Sequence, residues 1–347
     1  MTTRLLWWGR FDPLYSRNGV LREQMRALKI EITDFHPVFS RYADLEAALR
    51  RLPRPNAVWL PCFRQRDVAA ARRWCDRQGL PLIFDPLISA YDKQLFERFK
   101  LKRGSRAAIR LLRWEQHIFS MADHVIADTP CHAQFFQEHL GVDANRISVI
   151  YVGAEENLFQ PQIKTTPSDP INVLFYGSYI PLHGAQTIIE AARCYSGPPV
   201  RWHMLGNGPA RAECEKNAQG LTNLCFESYL PYSELPRRIH QADILLGVFG
   251  TTAKAGRVMP NKIFQALAAG RPVITRASEA YPIALRNSPA LQFVEPGSPT
   301  ALAQAVKEWA EEPKALQSRG AEAAAVYRRH LSATVIQGQI SRVLLEK

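Results

Sequence analysis

The sequence predicts an α/β chain in two doubly wound halves. Short runs rich in Val, Ile and Leu alternate with helix-like stretches, the pattern of parallel strands joined by crossover helices. That rhythm runs once, stops at a stretch with little to bury, and starts again. With 347 residues, 46% hydrophobic and 22% charged, the chain is long and apolar enough for two cores.

In the first half the apolar runs lie at 4–8, 57–60, 82–84, 125–127 and 147–151. The second half restarts at 171–176 and continues at 201–205, 224–226, 244–248 and 272–275. Between them, 157–170 reads NLFQPQIKTTPSDP, three prolines among Thr, Ser and Asp, and the boundary is expected there. The expected domains are 1–163 and 170–320. After 300 the pattern becomes helical, at 301–309 and then over 321–345, read as one long last helix. Ligands of open α/β sheets bind beyond the carboxyl ends of the strands. Two such halves therefore imply a cleft, and the loops after the strands are where chemistry is to be sought.

Lys and Arg total 44 against 32 Asp and Glu, a net charge of +12, which suits an anionic partner. The six cysteines, at 62, 75, 131, 194, 214 and 225, form no C-x-x-C pair and show no zinc-ligand spacing, so a reduced, cytosolic chain without metal is expected. The first residues hold too short an apolar run for a signal peptide, and no run approaches the ~18 residues of a membrane span.

Three loops stand out. YGSYIPLHGAQTIIEAA places Gly177 and Gly184 between a strand and a helix start, where backbone amides suit a phosphate; an ordinary β–α turn reads the same way. His183 lies in that loop as a donor or as a plain structural histidine. HMLGNGPARAECE carries Gly206 and Gly208 after a strand, either a tight turn or a ligand contact. In TTAKAGRVMPNKIFQALAAGRPVI, Pro260 or Asn261 opens a helix and Gly270 ends it. Lys254, Arg257 and Lys262 gather at its N-terminal end, where the helix dipole favours an anion.

Taken in order, FSMADHVIADTPCHAQFF, ISVIYVGAEENLFQP, VLFYGSYIPLHGAQTIIEAA, HMLGNGPARAE, FESYLPYSELPRRIHQADILLGVF and NKIFQALAAGRPVIT resemble the retaining glycosyltransferases of GT-B fold, family four. The likeness covers nearly all of 120–312, and PLIFDPLISAYDK resembles the first domain of one branch. It implies two Rossmann-like domains facing across a cleft, with the last helix, 321–347, crossing back to the first domain. A nucleotide-sugar is expected in the second domain, a UDP-sugar ahead of GDP-mannose, with a glycan or lipid-linked acceptor on the first.

Carried onto this chain, the resemblance places the diphosphate at Gly177, Ser178, His183 and Gly184, with Lys254, Arg257, Lys262 and the amides near Asn261. Ribose and base fall to Gly206, Tyr229, Leu230, Tyr232 and Gln265. The family's two acids, with seven residues between them, become Arg257 and Gln265. An amide still offers an acceptor and two donors to ribose hydroxyls, whereas Arg257 reverses the charge. The implied reaction is metal-free front-face displacement, in which fixed cations neutralise the leaving diphosphate and a phosphate oxygen takes the acceptor's proton. Arg257 and Lys262 are its catalytic candidates, with Asp85 orienting the acceptor hydroxyl. On the acceptor side stand Arg17, Asn18 and Gly19 in YSRNGVLREQM, and Asp85 and Asp92 in FDPLISAYDK, Asp92 being the better helix cap.

Residues 93–113 hold eight Lys or Arg and one acid, Glu97, interleaved with Phe96, Phe99, Leu101, Ile109, Leu111 and Leu112. Such a basic amphipathic stretch fits an anionic membrane surface, or else a solvated helix face. A lipid-linked acceptor in polysaccharide or lipopolysaccharide synthesis would account for it, with the protein peripheral on the inner face of the plasma membrane. A catalytically silent relative is the alternative that Arg257 and Gln265 suggest. A nucleic-acid binder is not expected: no helix-turn-helix, zinc or RNP signature accompanies the charge.

Overall fold

The computed structural model describes residues 3–13 and 15–346. They form two compact units, one running to Gly153 and taking in the segment from Ala333, the other spanning Ala154–Ser332.

The first unit is built on six parallel strands: β1 (Arg4–Trp8), β2 (Glu31–Phe35), β3 (Ala57–Leu60), β4 (Leu82–Phe84), β5 (His124–Ala127) and β6 (Ile147–Val149), in the order β2-β1-β3-β4-β5-β6. Strand β1 is central, so both its faces are covered. Leu6 and Trp8 join Phe84, Phe119 and Phe136 on one side, while Leu5 and Trp7 join Val20, Ile126 and Ile150 on the other. The edge strand β2, EITDF, exposes Glu31, Thr33 and Asp34, which is why it shows no apolar run in the sequence.

The second unit repeats the plan with β7 (Ile171–Tyr176), β8 (Val200–Leu205), β9 (Leu224–Glu227), β10 (Ile244–Leu246), β11 (Val273–Arg276) and β12 (Leu291–Val294), ordered β12-β11-β10-β7-β8-β9. The chain winds outward from β7 through β8 to β9, then returns to lay β10 on the other side of β7. This reversal is the topological switch point, where open sheets hold their ligands. Strand β12, LQFV, was also absent from the expected set, being short and only half-buried at Gln292 and Phe293.

Two expectations need correction. Residues 154–170 are not a free linker but part of the second unit. Phe159 is buried there, Lys164 Nζ pairs with Asp243 at 2.7 Å, and Ser168 N donates to Asp243 Oδ1 at 3.2 Å. Polar anchoring of this kind leaves no apolar signal, so the boundary lies at Gly153. Nor is the last helix continuous: it divides into Ala315–His330 and Ala333–Leu344, the backbone leaving helical angles at the buried Leu331. Ser332, of a residue type favoured at helix starts, precedes the second piece. The Ala315–His330 helix packs on the Asn261–Ala268 helix of the second unit. The other places Ile336, Ile340 and Val343 in the core of the first.

Candidate active site

Strands β7, β8 and β9 end side by side, and the loops beyond them are stitched together. Gly177 N donates to Leu205 O at 3.0 Å and Gly206 N to Glu227 O at 3.2 Å. The contact is close enough to demand glycine. A methyl group at Gly206 (φ +119°) would come within 2.2 Å of Gly177 O, and one at Gly208 within 1.6 Å of Ser178 O. Beyond these loops opens a pocket of about 530 Å³. Gly177, Ser178, Gly206, Tyr229, Leu230 and Tyr232, all candidates from the sequence, line it, together with Tyr176, Leu205, Asn207 and Leu235.

Gly177 is also where the expected cation arrives. Lys262 lies in the first turn of the Asn261–Ala268 helix, behind Pro260, and its Nζ sits 4.1 Å from the centre of the Phe175 ring. A methyl group on Gly177 would meet His183 Cε1 at 2.5 Å and Lys262 Nζ at 3.2 Å. Both side chains are buried, and among the described residues neither Lys262 Nζ nor His183 Nδ1 has a hydrogen-bond partner. Burial pushes the Lys262 ammonium down to about 7. Burial, with Lys262 beside it, holds His183 well below its ordinary value, so its ring is neutral. The arrangement is costly unless an anion completes it.

Gly184 (φ +63°) turns the chain from a short 3-10 segment, Pro181–His183, into the Ala185–Cys194 helix. Behind it lies the 3-10 turn Lys254–Gly256, where Leu182 and Ala255 pack together. Lys254 is buried in that turn, Arg257 is half-buried at its end, and neither lines the pocket. Sequence reading missed Arg276, which is buried with its Nη1 donating to Gly250 O at 2.6 Å and so holds the same loop in place.

Gln265 does not offer a free amide to a ribose. Its Oε1 accepts from Tyr176 OH at 2.9 Å and its Nε2 donates to Tyr232 OH at 2.8 Å. Tyr232 OH in turn donates to Glu155 Oε2 at 2.8 Å. The residue braces two tyrosines of the pocket wall rather than reaching into it.

In the first unit the acceptor-side candidates are structural. Arg17 and Asp85 are fully buried and clasp one another: Arg17 Nε lies 2.9 and 3.0 Å from the two carboxylate oxygens and Nη2 lies 2.8 Å from Oδ1. Arg17 Nη1 donates to Ile150 O at 3.1 Å. Asn18 is buried, donating to Asp12 O and accepting from Cys62 Sγ, and Gly19 is half-buried. Asp92 is buried in the first turn of the Ala90–Phe96 helix, but Ser89 is the cap, accepting from Asp92 N at 3.0 Å. His132, which the sequence reading passed over, lies 3.8 Å from Asp92 Oδ2 and bonds Asp128. A carboxylate after a strand reads alike whether it faces solvent or a buried arginine 68 residues earlier in the sequence.

The 93–113 segment is also less apolar outside than its sequence implies. Phe96, Leu101, Leu111 and Leu112 pack on the core, leaving Phe99 and Ile109, with Trp114 beside them, exposed. No helix among the described residues is long and apolar enough to cross a membrane.

The two doubly wound units define a protein of GT-B architecture. Over its whole length the chain matches Anabaena Alr3699/HepE in complex with UDP and glucose, covering 100% of each chain with a TM-score of 0.75 and 14% identity. Residues 170–312 match the model for glycosyl transferases group 1, and 12–153 that for the glycosyl transferase 4-like domain. The chain belongs to the group 1 glycosyltransferases. Relatives include a D-inositol 3-phosphate glycosyltransferase of Thermomonospora curvata, 26% identical over 71% of this chain and 60% of its own. Another is the putative colanic acid biosynthesis glycosyl transferase WcaI of Escherichia coli K12, 32% identical over 33% of this chain. The matches span 28% of WcaI and 60% of the Thermomonospora protein.

Proposed function

We propose that the chain transfers a sugar from a nucleotide-diphosphate sugar, a UDP-sugar ahead of GDP-mannose, to a glycan or lipid-linked acceptor with retention of configuration and without a metal. The observation that carries this reading is the pair of buried, unpartnered nitrogens of Lys262 and His183 meeting at Gly177 beside the pocket. A diphosphate there would satisfy both, with the base against Tyr229–Leu230 backbone and the helix start at Asn261 adding its dipole. Lys262 then carries its proton because the anion favours the charged form, and it stabilises charge as the glycosidic bond breaks. The acceptor hydroxyl attacks the anomeric carbon on the face the diphosphate leaves, its proton passes to a phosphate oxygen, and nucleoside diphosphate departs. Support comes from the Anabaena neighbour, solved with UDP and glucose, and from relatives named for colanic acid and inositol-phosphate glycosylation.

The test is calorimetry and thermal shift with UDP, GDP and their sugar conjugates, with and without EDTA. UDP or UDP-sugar binding that survives EDTA and is lost in Lys262→Met supports the reading. No nucleotide binding overturns it.

Arg257 and Gln265, in place of the two acids, favour a second reading, a silent relative that binds donor without turnover. Sugar release from donor in the presence of acceptor, absent in Lys262→Met, decides against it. The acceptor is assigned to the first unit, working at the inner face of the plasma membrane, with Phe99, Ile109 and Trp114 amid the eight basic residues of 93–113 as the contact. Sedimentation with anionic but not neutral vesicles, reduced in Phe99→Ser, tests that assignment.

A further inference from the structure

Strand pairing in the second unit builds a cluster that no spacing in the sequence announces. Parallel register sets His203 of β8 opposite Cys225 of β9, and Leu205 opposite Glu227. Cys225 and Glu227, two residues apart, share a face of the strand. His203 Nδ1 consequently lies 3.1 Å from Cys225 Sγ and 2.6 Å from Glu227 Oε1. The three ligand atoms all lie within 4.8 Å of one another. On the other side of the ring, His203 Nε2 is 3.0 Å from Asn172 Oδ1, and Asn172 Nδ2 donates to Ser168 Oγ at 2.8 Å, which orients that amide. An Nε2–H held by Asn172 turns Nδ1 toward the thiol and the carboxylate, the way metal-bound histidines are commonly set by an outer partner; without an ion, the 2.6 Å contact of Nδ1 with Glu227 Oε1 is bridged by a proton.

We propose that His203, Cys225 and Glu227 form a binding site for one divalent cation of zinc type. One sulfur, one imidazole nitrogen and one carboxylate oxygen are a borderline-soft donor set, suited to zinc or cobalt rather than to magnesium or calcium. Small outward rotations of the three side chains bring them to tetrahedral spacing, with a water as fourth ligand. Binding forms three metal–protein bonds and sends to solvent both the Cys225 thiol proton and the proton shared by His203 Nδ1 and Glu227. The site adjoins the pocket loops, since Glu227 O accepts from Gly206 N at 3.2 Å, but none of its three side chains lines the pocket, and it is open enough to load, with His203 and Glu227 side chains 14% and 28% exposed. Arg238 opposes the ion: its Nε holds Glu227 Oε2 at 2.8 Å and its Nη2 holds Oε1 at 2.6 Å. The ion takes Oε1 from that clasp and leaves Oε2 to Arg238, so the guanidinium sets affinity from below.

The experiment uses the full chain with Cys131 and Cys194, the less buried distant thiols, replaced by Ser. Cobalt is titrated while the thiolate-to-metal absorption is followed, and zinc affinity is read by competition with a chromophoric chelator. One equivalent is expected to bind with the thiolate band present. Cys225→Ser abolishes the band, His203→Gln weakens binding at least about tenfold, and Arg238→Gln tightens it. In the unmutated chain zinc shields Cys225 from alkylation, read by peptide mass, a readout that needs no variant to fold. Absence of saturable binding, binding indifferent to Cys225 and His203, or alkylation of Cys225 unchanged by zinc overturns the proposal.

Discussion

Arg17 and Asp85 form a forked ion pair with both side chains sealed from solvent, 68 residues apart in sequence. Strand β4 ends at Phe84, so Asp85 occupies the place where an acceptor-orienting carboxylate would be sought, yet its oxygens are given to the guanidinium. Breaking a buried pair from one side strands the other charge. Asp85→Asn is expected to cost about 3–5 kcal/mol in urea unfolding, and the double variant Arg17→Met with Asp85→Leu to recover most of it. Loss of turnover at unchanged stability would return Asp85 to a catalytic role.

Lys262 makes the stability of the unliganded protein rise with pH. Its folded value is about 7 against 10.5 for the free side chain, so between those values the unfolded chain binds the extra proton and folding is favoured as pH increases. Below about 7 both states carry the proton and the full cost of the buried charge applies. The urea midpoint is expected to rise from pH 7 to 9, and less so in Lys262→Met. UDP, by restoring the charge, should take up close to one proton on binding at pH 8.5. Calorimetry in two buffers of different ionisation enthalpy measures that uptake.

The glycines at the ends of β7 and β8 fix how near the two loops come. Gly206→Ala is expected to destabilise by about 2 kcal/mol or more and to weaken UDP binding at least tenfold, because the 2.2 Å overlap with Gly177 O can be relieved only by parting the loops. Unchanged affinity would show that the loops do not hold the nucleotide.

Ile336 anchors the last helix in the first unit's core, and its Cδ1 fills the space a methyl group on Gly153 would need, 2.5 Å away. Ile336→Ala is expected to cost about 2–5 kcal/mol, and removal of residues 335–347 to prevent stable folding. Chemical denaturation of the point variant and proteolysis of the truncated chain check both.

Strands with both faces covered were legible as apolar runs, as at β1 and β7, and so were the glycine loops and the Pro260-to-Gly270 helix. The edge strand β2 was not, since its exposed Glu31, Thr33 and Asp34 hide the strand's period. Among the candidate residues, Gly177, Gly206 and Tyr229 share one pocket wall, and glycine and aromatic side chains after strands are read directly from sequence. Gln265, Arg17 and Asp85 were misplaced for one physical reason. Sequence gives a polar group's chemistry but not its partner, and here Tyr176, Tyr232 and a distant buried ion pair consume what appeared available.

The first unit is made of two separated stretches, and this orders events on the ribosome. Its sheet is complete at β6, but the helix that covers Val20, Ile126 and Ile150 is encoded after the whole of Ala154–Ser332. At about 5–20 residues per second, the nascent sheet waits roughly 10–35 s with that apolar face uncovered, while the contiguous second unit can close on itself as soon as it emerges. The earlier-made half is thus the later to finish, and its apolar face stays open to water for longer than any face of the second unit.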